Sequence, residues 1–527
     1  MEVNTNQLLS FCCLLFLAGS SSGGKILVFP EDGSHWLNMQ VIMKKLHVHG
    51  HNLTVVRSSR SLYIQASSPL YAIITVNITQ KEPVDAGYFR TLLQRSIALR
   101  TMSPIVRFFE QQKDVATMLQ IFHSGALSLI STMLDDSTLM KQLQDAKFDL
   151  MLTDPAFPAG VLLANYLHLP MVYNVRWLNA GDAHMAIAPS PPSHVPMYNS
   201  LFSEKMDFLQ RIENFLRYVV SCLQEQFVIV PIYDKLLKKH FPPNSDLLTM
   251  QRSADIWLMR VDFIFEFPRP SMPNVVYMGG FQCRPSQPVS AELEDFMQSS
   301  GEHGVVVVSQ GVIVTALPKE ITEAIASAFA KLPQKVIWRY MGERPSSLGN
   351  NTLLLDWLPQ NNLLGHPKTR AFVSHGGTNG IYEAIYHGVP VLLLPLLFDQ
   401  FDNAVRLEVR GAARVVDIGT LTSKEFLEAL QDVIRNPSYR NTMQKLSELH
   451  RDWPLSPLDS AIFWIEYVLR HKGARHLSSE ANNLPWYSYH SLDVIVFLTA
   501  IISAALWASI TLCRLLCCRS NKKQKKD

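Results

Sequence analysis

Residues 371–386 contain a turn suited to an anion. Residues 371–374 are a short β-prone run and residues 380–386 have helical spacing, so His375-Gly376-Gly377-Thr378-Asn379-Gly380 reads as a strand-to-helix turn. Such a turn aims backbone N–H groups and the positive end of the following helix at one point, where a phosphate is the natural guest. A second group with chemical potential lies near the N-terminus. Residues 25–30 form an apolar strand, followed by Glu31-Asp32-Gly33-Ser34-His35-Trp36, helical spacing over 39–49 and another strand over 52–57. This order places His35 in the loop beyond the carboxyl end of the first strand, where open α/β sheets bind ligands. Residues 148–155 read as a further buried strand closed by Asp154, with a helix over 161–169, so Asp154 lies on the same edge as His35 and the two could meet. On spacing alone His35 reads as a turn histidine, and Asp154 reads equally as the N-cap of the next helix. His47, His49 and His51 read as surface residues.

The elements that must position these groups alternate β and α along most of the chain. Residues 84–143 are mostly helical, 174–242 are rich in Pro, Ser, Met and aromatics with an amphipathic run over 208–230, and strands are expected over 257–260 and 275–279. Residues 285–290, with two prolines and no sustained period, read as a linker. Beyond it the alternation resumes with a helix over 292–298, a strand over 304–309, a helix over 320–332, and strands over 335–339 and 351–355; a long helix follows over 457–470. Two successive α/β halves built on doubly wound sheets are the expected fold class.

A chain of 527 residues has ample core for two or three domains. The net charge of +3 hides an asymmetry, because Arg514, Arg519, Lys522, Lys523, Lys525 and Lys526 cluster against Asp527 at the end and leave the body near neutral. A near-neutral body argues against a nucleic-acid partner. Residues 1–22 read as a secretory signal peptide, with an uncharged run over 8–18 and small residues after it; Glu2 and the missing lysine leave an uncleaved anchor as the alternative. Residues 494–513 carry no charge and are long enough to span a bilayer, and the basic residues 514–527 place the tail in the cytosol. Cys222 and Cys283 are the cysteines of the body and are expected to stay unpaired; no Cys/His spacing suggests a metal. Asn52, Asn77 and Asn350 head glycosylation sequons.

Trp357, Pro359-Gln360, His375-Gly376-Gly377, Asn379-Gly380, Glu383 and Asp399-Gln400, in this order, resemble the signature of the UDP-glycosyltransferases, and the flanking sequence resembles the vertebrate UDP-glucuronosyltransferase branch. The resemblance implies a GT-B fold, two facing Rossmann-like domains with a C-terminal transmembrane helix: an acceptor-binding domain over 23–284, a UDP-sugar-binding domain over 285–455, and a cross-back helix and juxtamembrane segment over 456–493. It implies that the 174–242 region leans on the membrane. It also implies roles for individual residues. His35 would be the general base, oriented by Asp154. Trp357 would stack on uracil, Gln360 would bond near the uridine, and Glu383 would accept the ribose hydroxyls. Ser309, His375, Gly377, Thr378, Asn379 and Gly380 would hold the diphosphate, with Arg339 nearby, Asp399 and Gln400 would receive the sugar hydroxyls, and Arg260 would meet a donor carboxylate. No cofactor or metal is implied, the UDP-sugar being a co-substrate, and the acceptor would be small and lipophilic. The enzyme would be a single-pass protein of the endoplasmic reticulum membrane with its body lumenal, as a homo- or hetero-oligomer, and Lys523 and Lys525 resemble a dilysine retrieval signal.

Two positions depart from the family pattern. Gln310-Gly311-Val312 stands where Leu-Gly-Ser usually follows the phosphate-loop serine, and Phe398 stands where Gly or Ala usually precedes Asp399. Both bear on the donor sugar, for which glucose, xylose and N-acetylglucosamine are the alternatives to glucuronic acid. A non-catalytic membrane partner of active relatives is a rival, set against the presence of both His35 and Asp154. A dinucleotide-dependent oxidoreductase is another, set against the absence of G-x-G-x-x-G after the first strand.

Overall fold

The computed structural model describes residues 23–78, 86–179, 181–314 and 316–523, in two compact units divided between Leu477 and Ser478. The expected signal peptide, with Lys525 and Lys526, lies outside the described residues.

The first unit is built on two parallel sheets. One contains β1 (Lys25–Phe29), β2 (Asn52–Ser58), β3 (Ala72–Val76), β4 (Leu150–Thr153), β5 (Met171–Val175), β6 (Ile256–Met259) and β7 (Val275–Tyr277), in the order β3-β2-β1-β4-β5-β6-β7. The other contains β8 (Val305–Ser309), β9 (Lys335–Arg339), β10 (Thr352–Leu355), β11 (Thr369–Ser374), β12 (Val391–Leu393) and β13 (Ala413–Val415), in the order β10-β9-β8-β11-β12-β13. The composition explains why these are buried parallel strands. β8 is four valines and a serine, all buried, and stiff β-branched side chains suit a strand covered on both faces. The edge strand β3 was not anticipated from sequence; it is short and only Val76 in it is buried, so it offers little alternation to read.

In both sheets the strand order reverses after the first strand, between β1 and β4 and between β8 and β11. Crevices open at such reversals beyond the carboxyl ends of the strands. The registers fix what meets there: Phe29 pairs with Thr153, and Ser309 with Ser374. The groups that follow those residues, 30–35 beside 154 in one sheet and 309–311 beside 375–380 in the other, are thereby brought together.

Helix α1 (Ser34–Val48) begins five residues before the helical spacing expected at 39. Trp36, Met39, Ile42, Met43 and Leu46 are buried along it, so the apolar stripe runs back into the first turn. His35 therefore lies in the first turn of a helix, and not in a loop. Helices α2 (Pro104–Asp135), α3 (Ala159–Tyr166) and α4 (Phe208–Gln224) belong to the first half; α5 (Thr378–His387) and α6 (Gln400–Glu408) follow β11 and β12. α7 (Pro457–His471) buries Ala461, Ile462, Ile465 and Val468 in one core with Trp36, Met39 and Ile42 of α1. Its Glu466 accepts from His49 at 2.7 Å and lies 3.3 Å from His51. Cys222 and Cys283 are free thiols.

The two halves are tied by buried charge. Arg176, one residue after β5, donates to Glu266 at 2.6 Å and to Asn403 of α6 at 3.2 Å, and Arg406 of α6 donates to the other oxygen of Glu266 at 2.8 Å. Burial opposes ionisation of Glu266, but Arg406 and Arg176 outweigh it and hold the carboxyl at about 2. Tyr382 of α5 accepts from the Asp262 N–H at 2.7 Å and donates to its carboxylate at 3.0 Å. Asp402 accepts from the backbone N–H groups of Asn199 and Leu201.

The second unit contains α8 (Leu492–Lys523), whose stretch Leu492–Leu516 is long and apolar enough to cross a membrane. In the first unit Pro104–Asp135 and Phe208–His240 also meet that length and composition. α4 leaves Phe208, Leu209, Ile212, Phe215 and Leu216 exposed.

Removing one member of a buried charge network leaves the others uncompensated, at about 3–5 kcal/mol. Glu266→Ala is therefore expected to lower the unfolding midpoint of the full-length protein in detergent well beyond the effect of Glu448→Ala, an exposed carboxylate, read by tryptophan fluorescence on heating.

Candidate active site

His35 stands at the start of α1 with Nδ1 2.7 Å from Asp154 Oδ2. Asp154 follows β4 and is 1% exposed; its Oδ1 accepts the Ala156 N–H at 3.1 Å. Burial favours the neutral acid, but His35 and Arg260 beside it outweigh that and hold Asp154 below the usual carboxylate range. An ionised Asp154 accepts a hydrogen bond from the ring Nδ1–H, the tautomer that leaves the lone pair on Nε2. Arg260, after β6, places Nη2 3.2 Å from Asp154 Oδ2 and 3.1 Å from His35 Nδ1. With Nδ1 protonated, the carboxylate is the acceptor for that guanidinium. Arg260 Nη1 is buried without a partner.

The second sheet supplies the strand-to-helix turn at 375–380. Thr378 opens α5, and the N-cap Gly377 has no side-chain cap, so the first-turn N–H groups point out of the helix end. His375 is half-buried, and burial pushes it down to about 4, so its ring is neutral at physiological pH. Gly311 and Gly377 approach that ring closely: a Cβ at either would lie 2.5 Å from His375 Nε2, and Gly311 also has φ +78°. Ser309 Oγ accepts from the Gly311 N–H, and Arg339 donates to the Gly311 carbonyl. Asn38 of α1 donates to Asn379 at 3.0 Å, joining the two crevices.

Gln360 donates to Glu383 at 2.5 Å. Burial raises Glu383 to about 7, with Gln360 partly countering it. Trp357 is 58% exposed, with Arg339 5.7 Å over its ring. An indole left open in this way offers a face to a flat ring. Asp399 Oδ2 accepts from Thr378 at 3.2 Å and Asn403 at 2.9 Å, and Gln400 Oε1 accepts the Leu396 and Leu397 N–H groups, which leaves the Gln400 amide N–H₂ to donate elsewhere. Phe398 has φ +56°, a left-handed conformation that costs a side-chain-bearing residue about 1–2 kcal/mol and explains why glycine suits the position.

One cavity of about 1080 Å³ is lined by His35, Arg260, Ser309, Arg339, Trp357, Gln360, His375, Gly377, Thr378, Asn379, Gly380, Glu383, Asp399 and Gln400. Asp154, under the His35 ring, does not line it. Val312 and Phe398, the two departures, do. Sequence reasoning missed Asn403 and Arg176, which hold Asp399; Arg176 Nε lies 3.7 Å from it. A polar or charged residue inside the apolar pattern at the end of a buried strand or along a buried helix face was the available signal.

A family model described as UDP-glucoronosyl and UDP-glucosyl transferase matches residues 24–527. The chain is 42% identical to UDP-glucuronosyltransferase 2A1 of Mus musculus over 520 residues, covering 97% of this chain and 98% of that protein. It is 41% identical to UDP-glucuronosyltransferase 2B17 of Homo sapiens, covering 96% of each. Among solved structures, glycosyltransferase VinC in complex with dTDP superposes with a TM-score of 0.56 at 18% identity, covering 85% of this chain and all of that one. The calicheamicin glycosyltransferase CalG4 superposes with a TM-score of 0.53 at 17% identity, covering 85% and 99%. These last two likenesses bear on the fold alone, and the fold is GT-B.

An ionised carboxylate accepts both hydroxyls of a ribose diol strongly, whereas the neutral acid accepts more weakly and turns one oxygen into a donor. If Glu383 holds the ribose, UDP affinity is full above pH ~7 and falls as pH drops below it, approaching about tenfold per unit. Calorimetric titration of UDP from about pH 6 to pH 8.5 is expected to show this decline, and Glu383→Gln is expected to remove it, leaving only the ionisation of the phosphate.

Proposed function

Because the chain belongs to the UDP-glycosyltransferase family and is a UDP-glycosyltransferase, we propose that it transfers glucuronic acid, with inversion, from UDP-glucuronic acid to a hydroxyl of a small lipophilic acceptor. The observation that carries this reading is the 2.7 Å contact of His35 with Asp154, in one cavity with the open helix end of α5. The His35 Nε2 lone pair takes the acceptor hydroxyl proton as the oxygen attacks the anomeric carbon. The bond from that carbon to the β-phosphate oxygen breaks, and UDP leaves with the electron pair. Asp154 stabilises the imidazolium that forms. The N–H groups of α5 and its turn take the charge that develops on the diphosphate.

In this reading Trp357 stacks on uracil, Gln360 and Glu383 take the ribose side, and Ser309, His375, Gly377, Thr378, Asn379 and Gly380 surround the diphosphate with Arg339 at the margin. Asp399 and Gln400 take sugar hydroxyls. The free Nη1 of Arg260 supports a donor carboxylate, and the likeness to vertebrate UDP-glucuronosyltransferases supports the same sugar. The apolar stretch Leu492–Leu516 of α8 and the basic residues Arg519, Lys522 and Lys523 beyond it support a single-pass anchor with the sheets in the lumen of the endoplasmic reticulum and the tail in the cytosol, where Lys523 and Lys525 serve as a retrieval signal.

His35→Ala is expected to lower kcat by about 10²–10⁴-fold and to leave the UDP dissociation constant within about threefold, because the base meets the acceptor and not the nucleotide. Undiminished turnover would remove His35 from the reaction. Phe398→Gly relieves the left-handed side chain and widens the cavity beside Asp399. It is expected to change relative kcat/KM across a panel of UDP-sugars more than across a panel of phenols; an unchanged donor order would show that the ring points away from the sugar.

A further inference from the structure

Four carboxylates line the cavity: Glu31, Asp32, Glu383 and Asp399. Three are held. Asp32 accepts the N–H groups of Gly33, Leu62 and Tyr63, Glu383 accepts from Gln360, and Asp399 accepts from Thr378 and Asn403. Glu31 makes no hydrogen bond or ion pair with any described residue, although it is partly buried. It stands four residues before His35, between β1 and α1, and lines the cavity with it.

Aromatic side chains share the cavity with Glu31. Tyr233, within electrostatic reach of Glu31, accompanies His123 at 3.0 Å, and His123 packs edge-on against Phe157 at 5.2 Å. Phe157 stacks on Phe122 with centroids 5.5 Å apart and planes 10° from parallel, and both rings line the cavity. Burial raises the Glu31 carboxyl well above its ordinary range, and the neighbouring charges of Asp154 and Asp32 raise it further. The group has no positive partner among the described residues, and the cavity it lines also presents the rings of Phe122 and Phe157. A carboxylate beside aromatic faces is the chemistry that recognises an ammonium ion.

We propose that Glu31 selects acceptors bearing a protonated amine, seated between its carboxylate and the Phe122–Phe157 pair while the acceptor hydroxyl meets His35. The assignment rests on the acceptor-site reading above and names the acceptor class that this chain prefers. A pairing with an ionised group that contributes about 1.5–3 kcal/mol corresponds to roughly 10–100-fold in kcat/KM.

The test compares 4-(3-dimethylaminopropyl)phenol with its carbon isostere 4-(4-methylpentyl)phenol, using the full-length enzyme, saturating UDP-glucuronic acid and UDP release as the readout. The ratio of kcat/KM, amine over isostere, is expected to fall at least tenfold in Glu31→Gln and to be largely kept in Glu31→Asp. Titration with UDP, whose proposed site is on the other sheet, reports whether each variant is folded; Glu31→Leu substitutes for Glu31→Gln if that variant does not fold. An unchanged ratio, or equal loss with both phenols, would overturn the assignment and leave Glu31 a shaping element of its loop. Turnover of the isostere tests the transfer reading on its own. If wild type turns over neither phenol, that reading fails, and the relative affinity of the pair for wild type and Glu31→Gln, by calorimetry, decides Glu31 by the same ratio.

Discussion

The arrangement depends on one buried carboxylate. Glu266 lies in the segment between β6 and β7 and accepts from two guanidinium groups, Arg176 of the first half and Arg406 of the second. Three charges taken out of water are costly individually, and their attraction offsets that cost only in close geometry. The network therefore has little tolerance for sliding. It fixes α6 against the end of β5, and through Asn403 and Arg176 it fixes the Asp399 carboxylate as well. The cleft between the sheets is thus defined by a polar constraint, while apolar packing supplies most of the stability of each half.

With the halves held, two equivalent places in two similar sheets face one cavity. Each is a reversal of strand order, and each carries what its local sequence permits. Beyond β1 and β4 the chain supplies an imidazole held by a buried carboxylate. Beyond β8 and β11 it supplies glycines, a neutral imidazole and a helix end. The glycines are required by approach: a Cβ on Gly311 or Gly377 would enter the His375 ring. One half presents an imidazole–carboxylate pair and the other a helix end with its first-turn N–H groups uncapped by a side chain, and Asn38 to Asn379 is a direct bond between them.

How much of this was legible in the sequence depended on the range of the interaction. The turn at 375–380 was readable because its glycines, the β-prone run before it and the helical spacing after it are adjacent in the chain. The alternation that gave doubly wound sheets was readable because buried parallel strands such as β8 are unbroken apolar runs. The start of α1 was misplaced because Gly33, Ser34 and His35 have turn chemistry, while the stripe from Trp36 to Leu46 that decides the matter depends on packing against the sheet. Whether the indole of Trp357 is buried or open is set by what folds over it, which its neighbours in the chain do not show. The Arg176–Glu266–Arg406 network joins residues 90 and 140 positions apart, and nothing local marks the partners.

The unsatisfied polar atoms of the described residues say more about the cavity than its shape does. Buried side-chain nitrogens without a partner include Arg176 Nε, Arg260 Nη1, Arg339 Nε and His375 Nδ1, and all four residues line it. An unpaired buried polar group costs about 1–3 kcal/mol, more when charged, so a fold does not accumulate them at one place without a compensating role. Three belong to guanidinium groups, which donate and cannot accept. Such a wall favours an anionic guest beside the α5 turn, and the carboxylates that line the same cavity are, Glu31 excepted, each already held by a hydrogen-bond donor.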